Sequence, residues 1–268
     1  MAKAALVLTA FLAIFLVKVD AGMDFDWDYF RDFLAHIIQP DPCGADVIAY
    51  YKFDRSVRDV CFGHNAQKNS GTPVLDPSTG ISNAAVKFQG FQSSQLHVPS
   101  LNGYAWGSKF SVSFWFKTST RWHQNIQGLI NNGPVSNETT SSGSLEIYLN
   151  TGNYIGASIV TSHSAKAWPR ITTAVPRHWH HLVMTYDGKT INFYLNNHLK
   201  LTDTECCHGN IVSKNSDVVL GHIERYYGYG YDYSYGTQAI NSYIDEMKLF
   251  KKALTAHEVL KLYRLKVV

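Results

Sequence analysis

Residues 179–196 read Trp-His-His-Leu-Val-Met-Thr-Tyr-Asp-Gly-Lys-Thr-Ile-Asn-Phe-Tyr-Leu-Asn, two apolar and β-branched runs on either side of an Asp-Gly pair. Asp-Gly between such runs is the strongest short-range hairpin signal a sequence offers. Most of the remaining chain alternates short strand-like runs with Gly, Asn, Ser and Pro clusters, without internal repeat or heptad pattern. That rhythm belongs to all-β sandwiches. A chain of this length can bury one sizeable core as a single domain of that kind.

The hairpin is one of an ordered series. Before it come Ala49-Tyr50-Tyr51-Lys52-Phe53-Asp54, the turn Gly63-His64-Asn65-Ala66, Ala85-Val86-Lys87-Phe88 and Phe110-Ser111-Val112-Ser113-Phe114-Trp115-Phe116-Lys117. After it come Val218-Val219-Leu220-Gly221, Ile244-Asp245-Glu246-Met247-Lys248-Leu249-Phe250 and Ala253-Leu254-Thr255-Ala256-His257-Glu258-Val259. Over roughly residues 46–265, this order resembles the laminin-G-like and pentraxin-like jelly rolls of the concanavalin A-like type. The resemblance implies a two-sheet antiparallel jelly-roll sandwich closed by a short C-terminal helix. It also implies an extracellular binding module, since only a minority of the wider fold relatives are enzymes. Thr255-Ala256-His257-Glu258 is a capping box, so residues 255–264 read as that helix.

The first residues read as a leader. Lys3 opens a short basic stretch, residues 4–17 are apolar, and Val19 and Ala21 stand at the small-residue positions of a cleavage site. The apolar run is shorter than the about 20 residues of a membrane span. Residues 1–21 are therefore expected to be a signal peptide and the product secreted, with no membrane span. Residues 22–45 form an aromatic and acidic arm. Phe30, Phe33, Leu34, Ile37 and Ile38 share one helical face there, behind four aspartates, until Pro40 and Pro42 stop the helix. The jelly roll occupies 46–268. Removing Lys3, Lys18 and Asp20 with the leader takes 24 basic and 21 acidic residues to 22 and 20, a net charge of +2. That balance calls for neither nucleic acid nor an anionic membrane as partner.

Four cysteines in a secreted chain imply two disulfides, with three connectivities. Cys206 and Cys207 are adjacent, and consecutive Cα atoms stand about 3.8 Å apart, short of the usual disulfide range of about 4.4–6.8 Å. The favoured arrangement therefore joins Cys43 and Cys61 each to one of that pair. The alternative is Cys43 with Cys61, which leaves the adjacent pair strained or free.

Six of the 16 tyrosines, Tyr226, Tyr227, Tyr229, Tyr231, Tyr233 and Tyr235, fall between Arg225 and Gly236. Tyrosine combines a broad apolar face, a polar tip and few rotors, which suits a binding surface. The segment is the expected ligand-binding loop, for sugar stacking, adhesion or cross-linking, unless it simply folds back over the sheet. Asn137-Glu138-Thr139 is an N-glycosylation acceptor.

Catalytic chemistry is poorly represented. Sandwich-fold glycosidases of the laminarinase type carry a Glu-x-Asp-x-x-Glu strand, which aims carboxylates from one face at the spacing retaining hydrolysis needs. None of the six glutamates here begins such a motif, and Glu146 in Leu145-Glu146-Ile147-Tyr148 stands alone in its strand. His178 and His180 share a strand face, but nothing nominates the further ligands of a zinc site. Calcium is implied by the resemblance, because many relatives bind it through carboxylates and carbonyls. Asp54 and Asp245 are the expected ligands, where the first and closing strands adjoin, with Asp59 as a weaker third. The expected function is a lectin-like module for glycans or glycoproteins, with calcium as its cofactor. The alternatives are a structural extracellular-matrix component, assembling with matrix proteins through the Tyr-rich loop, and a glycoside hydrolase.

Overall fold

The hairpin read from Trp179–Asn196 lies in one of two facing sheets, beside its edge strand. The computed structural model describes residues 41–68, 73–91, 93–118, 127–133, 135–136, 143–150, 152–223, 225–226 and 238–264. The expected signal peptide and most of the arm, Asn137, and Tyr227, Tyr229, Tyr231, Tyr233 and Tyr235 lie outside those residues. Ala45–Val268 forms one compact unit.

The first sheet runs β14 (His198–Asp203), β13 (Ile191–Leu195), β12 (His180–Tyr186), β6 (Phe110–Thr118), β19 (Asn241–Phe250), β4 (Ala85–Gln89) and β3 (Val74–Asp76). β1 (Val47–Tyr51) also pairs with β19. The second sheet runs β11 (Ala165–Thr173), β10 (Tyr154–Val160), β9 (Leu145–Asn150), β7 (Gln127–Asn131), β15 (Val218–Leu220), β5 (Leu96–Val98) and β2 (Gln67–Lys68). Two short pairs flank the Tyr-rich segment, β16 (His222–Ile223) with β18 (Gln238–Ala239) and β17 (Arg225–Tyr226) with β8 (Val135–Ser136).

Alternation along the strands builds the core. Phe110, Val112, Phe114 and Phe116 of β6 pair with Tyr186, Met184, Leu182 and His180 of β12. The apolar ones face inward with Leu145, Ile147, Leu149, Ile155 and Ile159 of the second sheet. Each such side chain contributes about 1.5–3 kcal/mol by leaving water. Gly221 is obligatory here: its φ is +82°, and a Cβ would meet the Phe88 ring at 2.0 Å.

The hairpin is real, but its turn differs from a two-residue Asp-Gly turn. Asp187 accepts the N–H groups of Lys189 (3.0 Å) and Thr190 (2.7 Å), so the loop holds four residues. The tight two-residue turn, with both φ values positive (51° and 65°), is instead at Asn196-Asn197, joining β13 to β14.

Outward-facing residues of the first sheet are roofed at one end by helix α1 (Ala256–Arg264). Its capping box forms as read: the Glu258 N–H donates to Thr255 Oγ1 (3.3 Å), and the Thr255 N–H donates to Glu258 Oε2 (2.9 Å). Val259 and Leu254 pack on Val47, Val183, Tyr194 and Phe250, and Tyr263 stacks on Trp115 at 5.5 Å.

The favoured disulfide pairing requires correction. Cys206 and Cys207 bond to each other, Cα to Cα 3.7 Å, and Cys43 and Cys61 are disulfide-bonded as well, so no cysteine is free. Packing explains it: Cys206 and Cys207 belong to the core between the sheets, whereas Cys61 packs on the cluster beneath α1.

Candidate functional site

Where β1 ends, the chain turns through Lys52–Val60 and, with Asn83, lines a pocket of about 420 Å³. Lys52, Arg55 and Arg58 stand on its rim with Asp54 and Ser56, and Val60 is exposed beside them. The pocket rests on unusual backbone. Phe53 has φ +56° although it is bulky and fully buried, Asn83 has φ +61°, and Glu246 behind them has φ +49°. A bulky residue at positive φ is a genuine outlier. In the loop that carries Asn83, a Cβ on Gly80 would meet the Ala84 carbonyl oxygen at 2.2 Å and Asp245 Oδ2 at 2.8 Å, so only glycine fits.

A bulge in β19 accounts for Glu246. Asp245 pairs with Trp115 and Lys248 with Ser113, which leaves one extra residue on β19. Glu246 accepts the hydroxyl of Tyr50, whose ring carries the Lys248 ammonium 4.0 Å from its centre. Burial pushes the Tyr50 phenol and the Glu246 carboxyl up and the Lys248 ammonium down. Asp245 is fully buried; its Oδ2 accepts the Ile81 N–H (2.7 Å) and its Oδ1 the Glu246 N–H (2.9 Å). Burial nevertheless lifts its carboxyl to about 8.

The three expected calcium ligands have different surroundings. Asp54 and Asp245 both act electrostatically on Tyr50, and Asp54 Oδ1 is buried without a hydrogen-bond partner. Asp59 is committed elsewhere. Its Oδ1 takes the N–H groups of Tyr50 (2.8 Å) and Cys61 (3.0 Å), and its Oδ2 those of Phe62 (2.8 Å) and His64 (3.0 Å). Burial opposes its charge, but these four donors hold its pKa below the usual carboxylate range. All four lone-pair positions are thus used, and Asp59 is corrected to the organiser of its loop. Among the described residues no three His, Cys, Asp or Glu side chains gather as a metal-holding group. A cation at Asp54 and Asp245 would therefore depend on main-chain or water oxygens as well.

Glu146 lies in the second sheet, 1% exposed, its Oε2 accepting the Ser158 hydroxyl at 2.7 Å. Two and four residues on, the same alternation brings Tyr148 and Asn150 rather than further carboxylates. His180 and His181 are buried strand residues: His180 Nδ1 meets Asn196 Nδ2 at 3.1 Å, and His181 Nε2 meets Ser113 Oγ at 2.8 Å. Of the six expected ligand-binding tyrosines, only Tyr226 falls within the described residues, as part of β17. The reading from sequence missed the pocket. Lys52, Arg55 and Arg58 within seven positions were visible, but Asn83 and the bulge reach the site only through folding.

A two-layer antiparallel β sandwich of this strand order is a jelly roll of the concanavalin A-like kind, and sequence comparison agrees. A family described as "Concanavalin A-like lectin/glucanases superfamily", of the Laminin_G_3 type, matches residues 89–260, well over half the chain; the protein belongs to it. No curated protein sequence matches significantly. Among solved structures, the binding domain of botulinum neurotoxin serotype G superposes with TM-score 0.60 at 18% identity, over 82% of this chain and 51% of that one. The ligand-binding domain of serotype D, solved with N-acetylneuraminic acid, gives 0.59 at 15%, over 83% and 52%. The chain thus spans about half the length of these toxin domains. Domain 4 of AbnA, an extracellular arabinanase from Geobacillus stearothermophilus solved with arabinotriose, gives 0.57 at 18%, over 81% and 98%. No helix among the described residues is long and apolar enough to cross a membrane.

Proposed function

We propose that the protein is a secreted, non-catalytic module that holds a few sugar units of a glycan in the pocket beside β1. The pocket itself carries this reading. It is saccharide-sized and rimmed by guanidinium, ammonium, hydroxyl and amide groups, which suit the oxygens of a sugar. Its floor rests on left-handed Phe53, and such strain gathers at ligand sites. The arabinanase domain lends support because nearly its whole length matches this fold, whereas the toxin domains match over only half of theirs. Secretion is supported by the disulfide bonding of all four cysteines, which an oxidising compartment favours. Binding rather than hydrolysis is favoured because Glu146 has Tyr148 and Asn150, not a second carboxylate, at the outward positions along its strand.

Calcium fits the same reading at Asp54 and Asp245. A hard cation there would satisfy the open Asp54 oxygen and displace the proton that buried Asp245 otherwise retains. A glycan array, run with calcium and with a chelator, tests both parts. The parent is expected to bind saturably and the Arg55→Gln, Arg58→Gln variant weakly. Equal binding by both would remove the pocket from the account. Absence of binding by the folded parent under either condition would overturn the module and turn attention to a matrix scaffold.

A further inference from the structure

Beyond the pocket, one row crosses the outer face of the first sheet. Val74 of β3 pairs with Lys87 of β4, Lys87 with Tyr243 of β19, and Tyr243 with Lys117 of β6; Trp179, next to β12, continues the row. Strands lie about 4.8 Å apart, so the row spans about 19 Å, with its two lysines about 9.5 Å apart at the backbone. The Lys117 ammonium lies 4.6 Å from the centre of the Tyr243 ring and 4.9 Å from that of Trp179, and the Lys87 ammonium lies 5.6 Å from Tyr243. Tyr243 and Trp179 meet edge to face at 6.3 Å, and the Tyr243 hydroxyl donates to Asp76 Oδ2 at 3.2 Å. The four central residues are half-buried, and Val74 is exposed.

Ring faces hold both ammoniums in place, so less side-chain freedom is lost when an anion arrives. Asp76 is the carboxylate seen to touch the row, and its contact is to the tyrosine hydroxyl rather than to either lysine. Two residues along β19 stands Asp245, against the Ile81 loop that leads to Asn83 of the pocket. The loop through Ile81 and Asn83 thus touches both the strand that carries Tyr243 and the pocket.

We propose that the Lys87–Tyr243–Lys117–Trp179 row binds an extended, anionic polysaccharide whose chain continues out of the pocket. This rests on the glycan reading and names its ligand class as carboxylated or sulfated. The preorganised positive charges select an anion, and the adjoining sugar pocket selects a polysaccharide over an acidic peptide.

Heparin, a neutral dextran and polyglutamate serve as probes in affinity measurements across a salt series. The parent is expected to bind heparin at least tenfold more tightly than either other polymer. Lys87→Gln with Lys117→Gln should lower heparin affinity at least fivefold and flatten its salt dependence, with an unchanged urea midpoint. Lys87→Arg with Lys117→Arg should restore most of it. Equal heparin affinity in parent and Gln variant overturns the proposal, as does polyglutamate binding as tightly as heparin. Loss of array glycan binding in the Arg55, Arg58 variant alongside unchanged heparin binding in the lysine variant would sink the row while leaving the pocket standing.

Discussion

Strand β6 presents Ser111, Ser113, Trp115 and Lys117 to one face of the first sheet, and the two ends of that series have opposite fates. Ser111 Oγ donates to the Lys252 carbonyl (2.8 Å) and accepts the Leu254 N–H (3.0 Å), fastening the chain that leads into α1. Ser113 meets buried His181, and Trp115 lies between His181 and Tyr263. Two residues further on, Lys117 lies beyond that packing, among aromatic rings. The same alternation thus makes a closed, packed seam at one end and an open charged surface at the other. The helix decides which: α1 covers the residues that it can pack, and the cations lie beyond it.

The sharpest break of this comparison is a pair of substitutions two residues apart. Trp115→Ala should cost about 3–5 kcal/mol, as large-to-small changes at buried aromatic positions do, whereas Lys117→Ala should change stability by no more than about 0.5 kcal/mol. Urea denaturation reads both, and similar costs would erase the distinction.

A second contrast is electrostatic. Asp245, facing the Ile81 loop, has its folded pKa raised by burial to about 8, so it contributes stability below the ordinary carboxylate range that is lost as pH rises from about 4 to 8. His181, under the roof, is pushed down by burial to about 3, so its contribution is present above pH 6.5 and is lost as pH falls towards 3. Thermal midpoints across that range should therefore flatten on the alkaline side in Asp245→Asn. In the parent at pH 8, added calcium should raise the midpoint more than at pH 5. An Asp245→Asn curve parallel to the parent's would show that this carboxyl titrates normally.

The smallest effect concerns the roof's edge. Thr255→Ala removes the cap of α1 and should cost about 1 kcal/mol, with no change in glycan affinity. An affinity change of the same size would mean that the roofed and open halves are coupled.

Much of the fold was legible because strands, the Asp187 loop and the Thr255–Glu258 box are written in neighbouring residues. The pairing of the first and closing strands was also legible, since β1 pairs with β19. Other features depend on the assembled structure. The Asp59 carboxylate looks like a ligand until four backbone N–H groups converge on it. The Cys206–Cys207 bond runs against a distance rule, yet it is adopted because their neighbours in space are core residues rather than Cys61. Positive φ at Phe53 has no local signature in a residue of that size.

The most direct test of the account is amide hydrogen exchange on the disulfide-intact protein, alone and saturated with a sulfated oligosaccharide. Added protection should fall on residues 52–60, 81–89, 117–118, 179–180 and 241–246, with residues 256–264 unchanged. Protection centred on 256–264, or on the second sheet around Glu146, would contradict the assignment of the open half as the ligand surface.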